Sequence, residues 1–261
     1  MGDCVAGTPT VEWAMSNWIA TALLFYAVSA HAASAPAAAA IAPATKEQRA
    51  LLEAYQKRMV GAGQLRAKVT RKTLIGLLGT EKRAEGSLLL SKGRVRIDLK
   101  TAETDERQLL IVGSKKFWAT TYPPVTLKDA AIQVVTGPIK SKKSGSQGVL
   151  ALLAKDGFLK SFTVSGVALA EGGEMSYYLQ PKQDWVEAKR ALLSLVPLKK
   201  GSKPNLADAS QWAVGEMKIW DFQDNETTYF LKEVVIEKKS PADKEFEFTP
   251  PKNADVMPVG V

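Results

Sequence analysis

The sequence predicts a mainly β (α+β) protein: an incomplete, strongly curled antiparallel β-barrel, or half-barrel, with helices covering its mouth. Many short segments alternate apolar and polar residues with a period of two, the signature of half-buried strands. Glycine and aspartate mark the turns between them, and the segments follow too closely for helical crossovers, which favours antiparallel pairing. A sheet of roughly ten or more such strands curls toward a barrel with an apolar concave face.

The clearest alternation runs from Arg94 to Lys100, where Val95, Ile97 and Leu99 face one way and charged residues the other. Residues 64–70 alternate in the same way. Further strands are predicted at 85–91, 107–112, 116–122, 126–135, 160–169, 174–182, 216–222, 226–237 and 245–249. In the last of these, Phe246 and Phe248 would share one sheet face, and Pro250-Pro251 would end the strand.

Two segments have helical periodicity. Residues 46–60 place Leu51, Leu52, Tyr55 and Met59 on one stripe and end at glycines 61 and 63. Residues 184–196 place five apolar side chains on a stripe behind a capping Asp184, and this helix would either cover the sheet as a lid or pack into the core. A basic loop over 138–148 leads into a short apolar helix at 149–154, and the loop lacks phosphate-loop spacing.

The N-terminus resembles an export signal over residues 1–32, with an apolar run at 18–28 and a small-x-small cleavage site ending at Ala32. Asp3 and Glu12 precede the run where basic residues are usual, and a start at Met15 would remove both. An uncleaved membrane anchor is the alternative. Residues 33–45 form an Ala/Pro-rich tether, and residues 46–261 a single domain.

The single Cys4 and the single His31 both lie in the predicted signal. Its removal would exclude a Ser-His-Asp triad, a cysteine nucleophile, a His- or Cys-ligated metal and a disulfide. We therefore expect no enzyme, no metal and no cofactor. Carboxylates at Glu216, Asp221 and Asp224 could serve an enzyme without His or Cys, but we interpret them as strand-end and turn residues.

The formal net charge of +8 indicates either an anionic partner, such as lipid headgroups or an acidic protein surface, or scattered solubilising lysines. Nucleic acid is not expected for an exported protein. The concave face would offer aromatic and branched side chains that suit acyl chains, unless these residues form a closed core. The candidates are Val95, Ile97, Leu99, Trp118, Phe162, Tyr178, Trp220, Phe246 and Phe248.

Four segments resemble LolA, the family of periplasmic carriers of outer-membrane lipoproteins. Residues 86–98 are similar to its Gly-led strand and following Arg-containing strand, 110–118 to its turn before Leu-Trp, 178–182 to its Tyr-x-Leu-x-Pro-Lys strand end, and 246–256 to its closing motif. The resemblance spans about 51–256. Lys92 replaces the family's first Arg, Arg96 matches its second, and the stretch 184–211 is longer.

The resemblance implies a LolA/LolB-like monomer in the periplasm of a Gram-negative bacterium. It would carry lipoprotein acyl chains from an inner-membrane ABC lipoprotein-release transporter to an outer-membrane lipoprotein acceptor, without stable membrane insertion. Lys92 and Arg96 would take part in lid control. Two alternatives stay open: a lipid- or lipoprotein-sensing regulatory module of the same fold, and an enzyme on that fold.

Overall fold

The structure, a computed structural model, describes residues 40–259 except 128, 139–157, 171, 183–187 and 200–203. Within these ranges the chain forms one open sheet of twelve strands, in the order β12-β6-β5-β4-β3-β2-β1-β11-β10-β9-β8-β7. The strands are β1 Gln64–Ile75, β2 Thr80–Ser91, β3 Arg94–Thr101, β4 Arg107–Val112, β5 Lys116–Tyr122, β6 Ile132–Pro138, β7 Phe162–Leu169, β8 Met175–Pro181, β9 Arg190–Pro197, β10 Trp212–Trp220, β11 Glu226–Glu237 and β12 Ala254–Pro258.

Neighbouring strands pair antiparallel, apart from β12, which runs parallel to β6. The helices are α1 Lys46–Gly61 and α2 Phe158–Ser161, with 3-10 turns at Ala209–Gln211 and Asp243–Phe246. The mainly β, antiparallel prediction is therefore confirmed, and the open sheet is consistent with a half-barrel. The predicted strands 107–112, 116–122 and 226–237 match β4, β5 and β11.

The predicted helix at 184–196 is wrong over its second half, because Arg190–Pro197 is strand β9 between β8 and β10. Residues 191–195 are all buried, which means that both faces of β9 are covered. A strand buried on both faces is a continuous apolar run, and periodicity cannot distinguish it from a buried helix. Three predicted segments lie outside the described residues: the start of this helix, the basic loop with the apolar helix that follows it, and the signal segment.

The predicted strand at 245–249 is also wrong. Residues 243–246 form a 3-10 turn, and 247–249 continue as extended chain without a strand partner. The Glu247 amide donates to the Lys244 carbonyl, a turn bond rather than a ladder bond. Pro250 and Pro251 have no amide hydrogen to donate to a ladder, so alternation alone does not make this segment a strand. The strand predicted at 126–135 begins only at Ile132.

Helix α1 confirms the helix predicted at 46–60 and is fixed to the sheet by polar bonds near its start and in its second half. Thr45 forms a capping box with Gln48, while Leu51 and Leu52 are buried. The Tyr55 hydroxyl accepts a bond from the Val214 amide at 3.1 Å. The Tyr177 hydroxyl donates to the Gln48 carbonyl at 2.9 Å. Burial raises the pKa of Tyr55 to about 12, so its hydroxyl stays protonated.

The C-terminal part of the predicted tether pairs with an edge of the sheet. Ala42 and Val167 of β7 form an isolated antiparallel bridge, with N–O distances of 3.0 and 2.8 Å. This bridge covers part of the edge strand β7, where unpaired amides and carbonyls would otherwise face water. No helix within the described ranges is long and apolar enough to cross a bilayer.

Candidate functional site: the inner face of the sheet

The sheet has two differently covered faces, here called inner and outer. The inner face carries α1 and the larger core, the inner cluster, which includes Leu51, Tyr55, Tyr177, Leu195 and Trp212. The outer face carries the outer cluster, formed by Leu89, Leu109, Ile111 and Phe246, with Trp118, Tyr122 and Phe248 packed against it. Consecutive residues of one strand serve opposite faces, so that Leu89 and Leu88 belong to different clusters.

The floor of the inner face comes from β1 to β5. Val95, Ile97 and Leu99 of β3 are buried in the inner cluster, as the alternation of 94–100 predicts. Leu110 and Phe117 continue this floor on β4 and β5, and both are only half-buried. Their position follows from register, because Ile97 pairs with Leu110 and Val112 with Phe117. Both side chains are therefore less buried than the three β3 residues beside them.

A polar bridge crosses this floor. The Arg71 guanidinium of β1 donates to the Gln108 side chain of β4 at 2.8 Å, although β2 and β3 lie between them. Gln108 in turn donates to the Glu106 carboxylate at 2.6 Å. The buried Tyr229 hydroxyl bonds to Arg71, and burial raises its pKa while the guanidinium opposes the rise. The inner face therefore combines an apolar floor with one cationic group held above it.

Gly86 permits close packing beneath this bridge. It pairs with Val69 on one side and Leu99 on the other, and a β-carbon there would collide with the Asp98 carbonyl. Any other residue would force β2 and β3 apart, so the glycine permits the close approach of these two strands.

The predicted ligand-lining residues divide between the two faces. Phe162 is buried in the inner cluster together with the three β3 residues. Trp118, Phe246 and Phe248 belong to the outer cluster. Tyr178 and Trp220 also point outward, because their neighbours Tyr177 and Ile219 fill the inner cluster. The prediction that all nine residues line one face is therefore wrong. Two large apolar residues are adjacent at Tyr177-Tyr178 and at Ile219-Trp220, so the sequence does not show which of each pair faces inward.

The C-terminal segment is clamped onto the outer face by two arginines of β3. The Arg94 guanidinium stacks 4.4 Å from the centre of the Phe246 ring and forms an ion pair with Asp243 at 2.6 Å. Arg96 donates to the Glu245 carbonyl at 3.2 Å. Lys92 is exposed in the tight β2–β3 turn, where it and Gly93 both have positive φ. A role of Lys92 or Arg96 in lid control stays a prediction.

Four residues of the candidate site are not indicated by the sequence pattern: Leu110, Phe117, Arg71 and Gln108. Leu110 sits in the four-residue apolar run 109–112, where composition does not reveal which side chains face inward. The available signal was the short turn at 113–115, which sets the register of β4 against β5. Nothing local indicates that Arg71 and Gln108 meet, since they are 37 positions apart.

The three carboxylates considered for catalysis have structural partners. Asp221 accepts bonds from the Gln223 and Asn225 amides in the β10–β11 turn, and Asp224 pairs with Lys189 at 2.9 Å. Glu216 lies within β10, 3.6 Å from Lys218, and burial raises its pKa. Among the described residues, no group of three or more His, Cys, Asp or Glu side chains could hold a metal ion.

The outer face also has a cavity of about 300 Å³ with both charged and apolar residues in its lining. Three cationic side chains, Arg66, Lys68 and Arg96, and two carboxylates, Glu233 and Glu245, line it. Lys68 and Glu233 form an ion pair at 2.7 Å with both side chains largely exposed. The mixed charge makes this cavity a poor acyl-chain site.

No family model and no curated protein matches the chain. Solved structures to which this chain shows a distant similarity include a DUF1329 family protein from Desulfovibrio piger, with TM-score 0.39, 10% identity, and coverage of 79% of this chain and 98% of that one. An uncharacterized conserved protein from Thermus thermophilus gives TM-score 0.42 and 11% identity, covering 82% and 99%. A candidate outer membrane lipoprotein-sorting protein domain from Vibrio parahaemolyticus gives 0.35 and 11%, covering 77% and 97%.

Proposed function

We propose that this protein binds acyl chains on the inner face of its sheet and carries lipoproteins between the two membranes of a Gram-negative envelope. The observation that supports this best is the half-buried apolar floor at Leu110 and Phe117, crossed by the Arg71–Gln108 bridge. Such a site combines non-specific apolar area with one fixed polar group, which is the usual composition of a lipid pocket. The export signal predicted from the sequence fits this location.

Affinity would come from burial of methylene groups on the floor. Each CH₂ removed from water contributes about 0.8 kcal/mol, so an acyl chain that covers Leu110 and Phe117 supplies ample gross affinity. Arg71 would contact the anionic end of the ligand, exchanging its bond to the neutral Gln108 side chain for a bond to a charged oxygen. The protein would act by binding and release, without catalysis.

Transfer requires partners at each end of the route. An inner-membrane transporter would load the inner face, and an outer-membrane acceptor would take the acyl chains by offering a better apolar surface. Because gross affinity for acyl chains is high, release must come from that competition or from movement of the elements beside the floor.

Binding of a fluorescent fatty acid to the purified protein tests the site. We expect Leu110→Glu to weaken binding at least tenfold, because it places a charge on the apolar floor. The matched control is Val235→Glu, on the outer face of β11 at 48% exposure, which should bind as the wild type does. Unfolding curves show whether both variants are folded. Equal binding by both folded variants would place the ligand elsewhere and reject the proposal.

A further inference from the structure

The β1–β2 hairpin projects beyond the strands on one side of it. β3 ends at Thr101, which pairs with Ala84, so residues 80–83 of β2 have only β1 as partner. At about 3.3 Å per residue, these four positions extend the hairpin about 13 Å past β3 before the turn at 76–79 begins. The eight residues 73–80 contain no charged side chain.

Apolar side chains occupy the tip. Leu77 is 92% exposed and Leu78 65% exposed, and Phe222, in the β10–β11 turn, is 55% exposed. The two turns touch, because the Gly76 amide donates to the Asn225 side chain at 3.1 Å and the Gly76 α-carbon packs beside the Asp224 carbonyl. Apolar residues gathered at one projecting point are unusual on a soluble surface and mark an interaction site.

The groups behind the tip suit a lipid headgroup layer. Trp220 pairs with Glu226, which pairs with Leu74, so the indole lies at the base of both turns. The Arg190 guanidinium stacks 4.3 Å from the Trp220 ring. Tryptophan and long cationic side chains favour the boundary between headgroups and hydrocarbon. Two ion pairs lie nearby, Lys72 with Glu81 at 3.0 Å and Lys189 with Asp224 at 2.9 Å, while Lys82 and Arg190 add positive charge beside the tip.

We propose that the tip formed by Leu77, Leu78 and Phe222 is a docking wedge that inserts into the surface of a lipid bilayer. The surface is convex, so a soft bilayer can open around it, whereas a protein partner would need a matching pocket. Apolar insertion supplies most of the docking free energy, so docking persists in high salt, which screens the contribution of Lys82 and Arg190. The wedge extends the proposed acyl-carrying function, on which its role in lipid exchange rests.

Flotation of the full chain with phosphatidylcholine–phosphatidylethanolamine vesicles tests the wedge. The double variant L77E/L78E should bind at least tenfold more weakly than the wild type. The matched control L198E replaces a leucine that is 52% exposed beyond the C-terminal end of β9, at the opposite end of the sheet, and should bind normally. Any contribution of the apolar run at 18–28 is common to all three proteins, so the difference reports on the tip.

A probe on the tip gives a second, independent reading. In a Cys4→Ser background, an environment-sensitive dye on Leu77→Cys should shift to the blue with vesicles, and the same dye on Leu198→Cys should not. Each of three results would overturn the wedge. The first is equal flotation of L77E/L78E and wild type, and the second is the absence of a dye shift at position 77. The third is binding that requires anionic lipid and is lost in 0.5 M salt (~4 Å screening length). L77E/L78E should keep its affinity for fluorescent fatty acid, so loss of wedge binding and failure of the acyl site are separable.

Discussion

The inner and outer clusters of this sheet are built from alternate residues of the same strands, yet they are closed in different ways. On the inner face, α1 packs over β8 to β10 through Tyr55 and Tyr177, and the floor near Leu110 remains half-buried. On the outer face, the C-terminal segment lays Phe246 over Leu89, Leu109 and Ile111 and is clamped by Arg94. The comparison indicates that the outer aromatic residues stabilise the fold, while Leu110 and Phe117 leave part of the inner floor half-buried.

The largest expected effect that distinguishes the two faces is that of Phe246→Ala. The ring is buried among large apolar side chains, and its removal should lower the free energy of unfolding by about 3–5 kcal/mol. Denaturant unfolding measures this loss. Fatty-acid binding, measured where the variant is still folded, should match the wild type, because the ring lies on the opposite face from Leu110.

Phe248→Ala provides the control for that experiment. Phe248 is half-buried at the margin of the same cluster. The Phe248→Ala protein should therefore lose less stability than Phe246→Ala, and it should also keep its affinity for fatty acid. If the folded Phe246→Ala variant failed to bind acyl chains, the original expectation that Phe246 lines the ligand would be right and the division between the faces would be wrong.

A smaller effect comes from Glu216→Gln on the outer face of β10. Burial raises the pKa of Glu216 in the folded protein above its unfolded value, so the folded state holds the proton more tightly. The stability contribution is complete at low pH and is lost as pH rises through the folded pKa. Wild type should therefore lose stability relative to Glu216→Gln between about pH 4 and pH 7. Thermal unfolding of both proteins at the two pH values measures this loss. If the stability of Glu216→Gln relative to the wild type fell with rising pH, the assignment would be contradicted.

The sheet could be predicted from the sequence because apolar and polar residues alternate along a half-buried strand. Val95, Ile97 and Leu99 were placed on one buried face for that reason, and the structure confirms the face. The outer cluster was not predictable in this way, since Phe246 meets Leu89 across 157 positions of chain. Strand β9 was mistaken for a helix because burial on both faces removes the alternation.

The candidate site depended on register and on contacts between distant strands. Leu110 faces inward only because β4 pairs with β3 in a particular register, and Arg71 reaches Gln108 only because the sheet brings β1 and β4 together. Neither the register nor the contact between distant strands can be predicted from the residue types at single positions. Residues 246–256, which resemble the closing motif of LolA, are held to the outer face through Phe246 and lead into edge strand β12.

Mass spectrometry of the intact protein, purified without detergent, tests the central claim that the inner face holds acyl chains. We expect bound acyl lipid or acylated peptide on the wild type, retained by Val235→Glu and absent from Leu110→Glu. A wild-type protein that carries no lipid and also ignores added fatty acid would contradict it, as would lipid retained equally by folded Leu110→Glu.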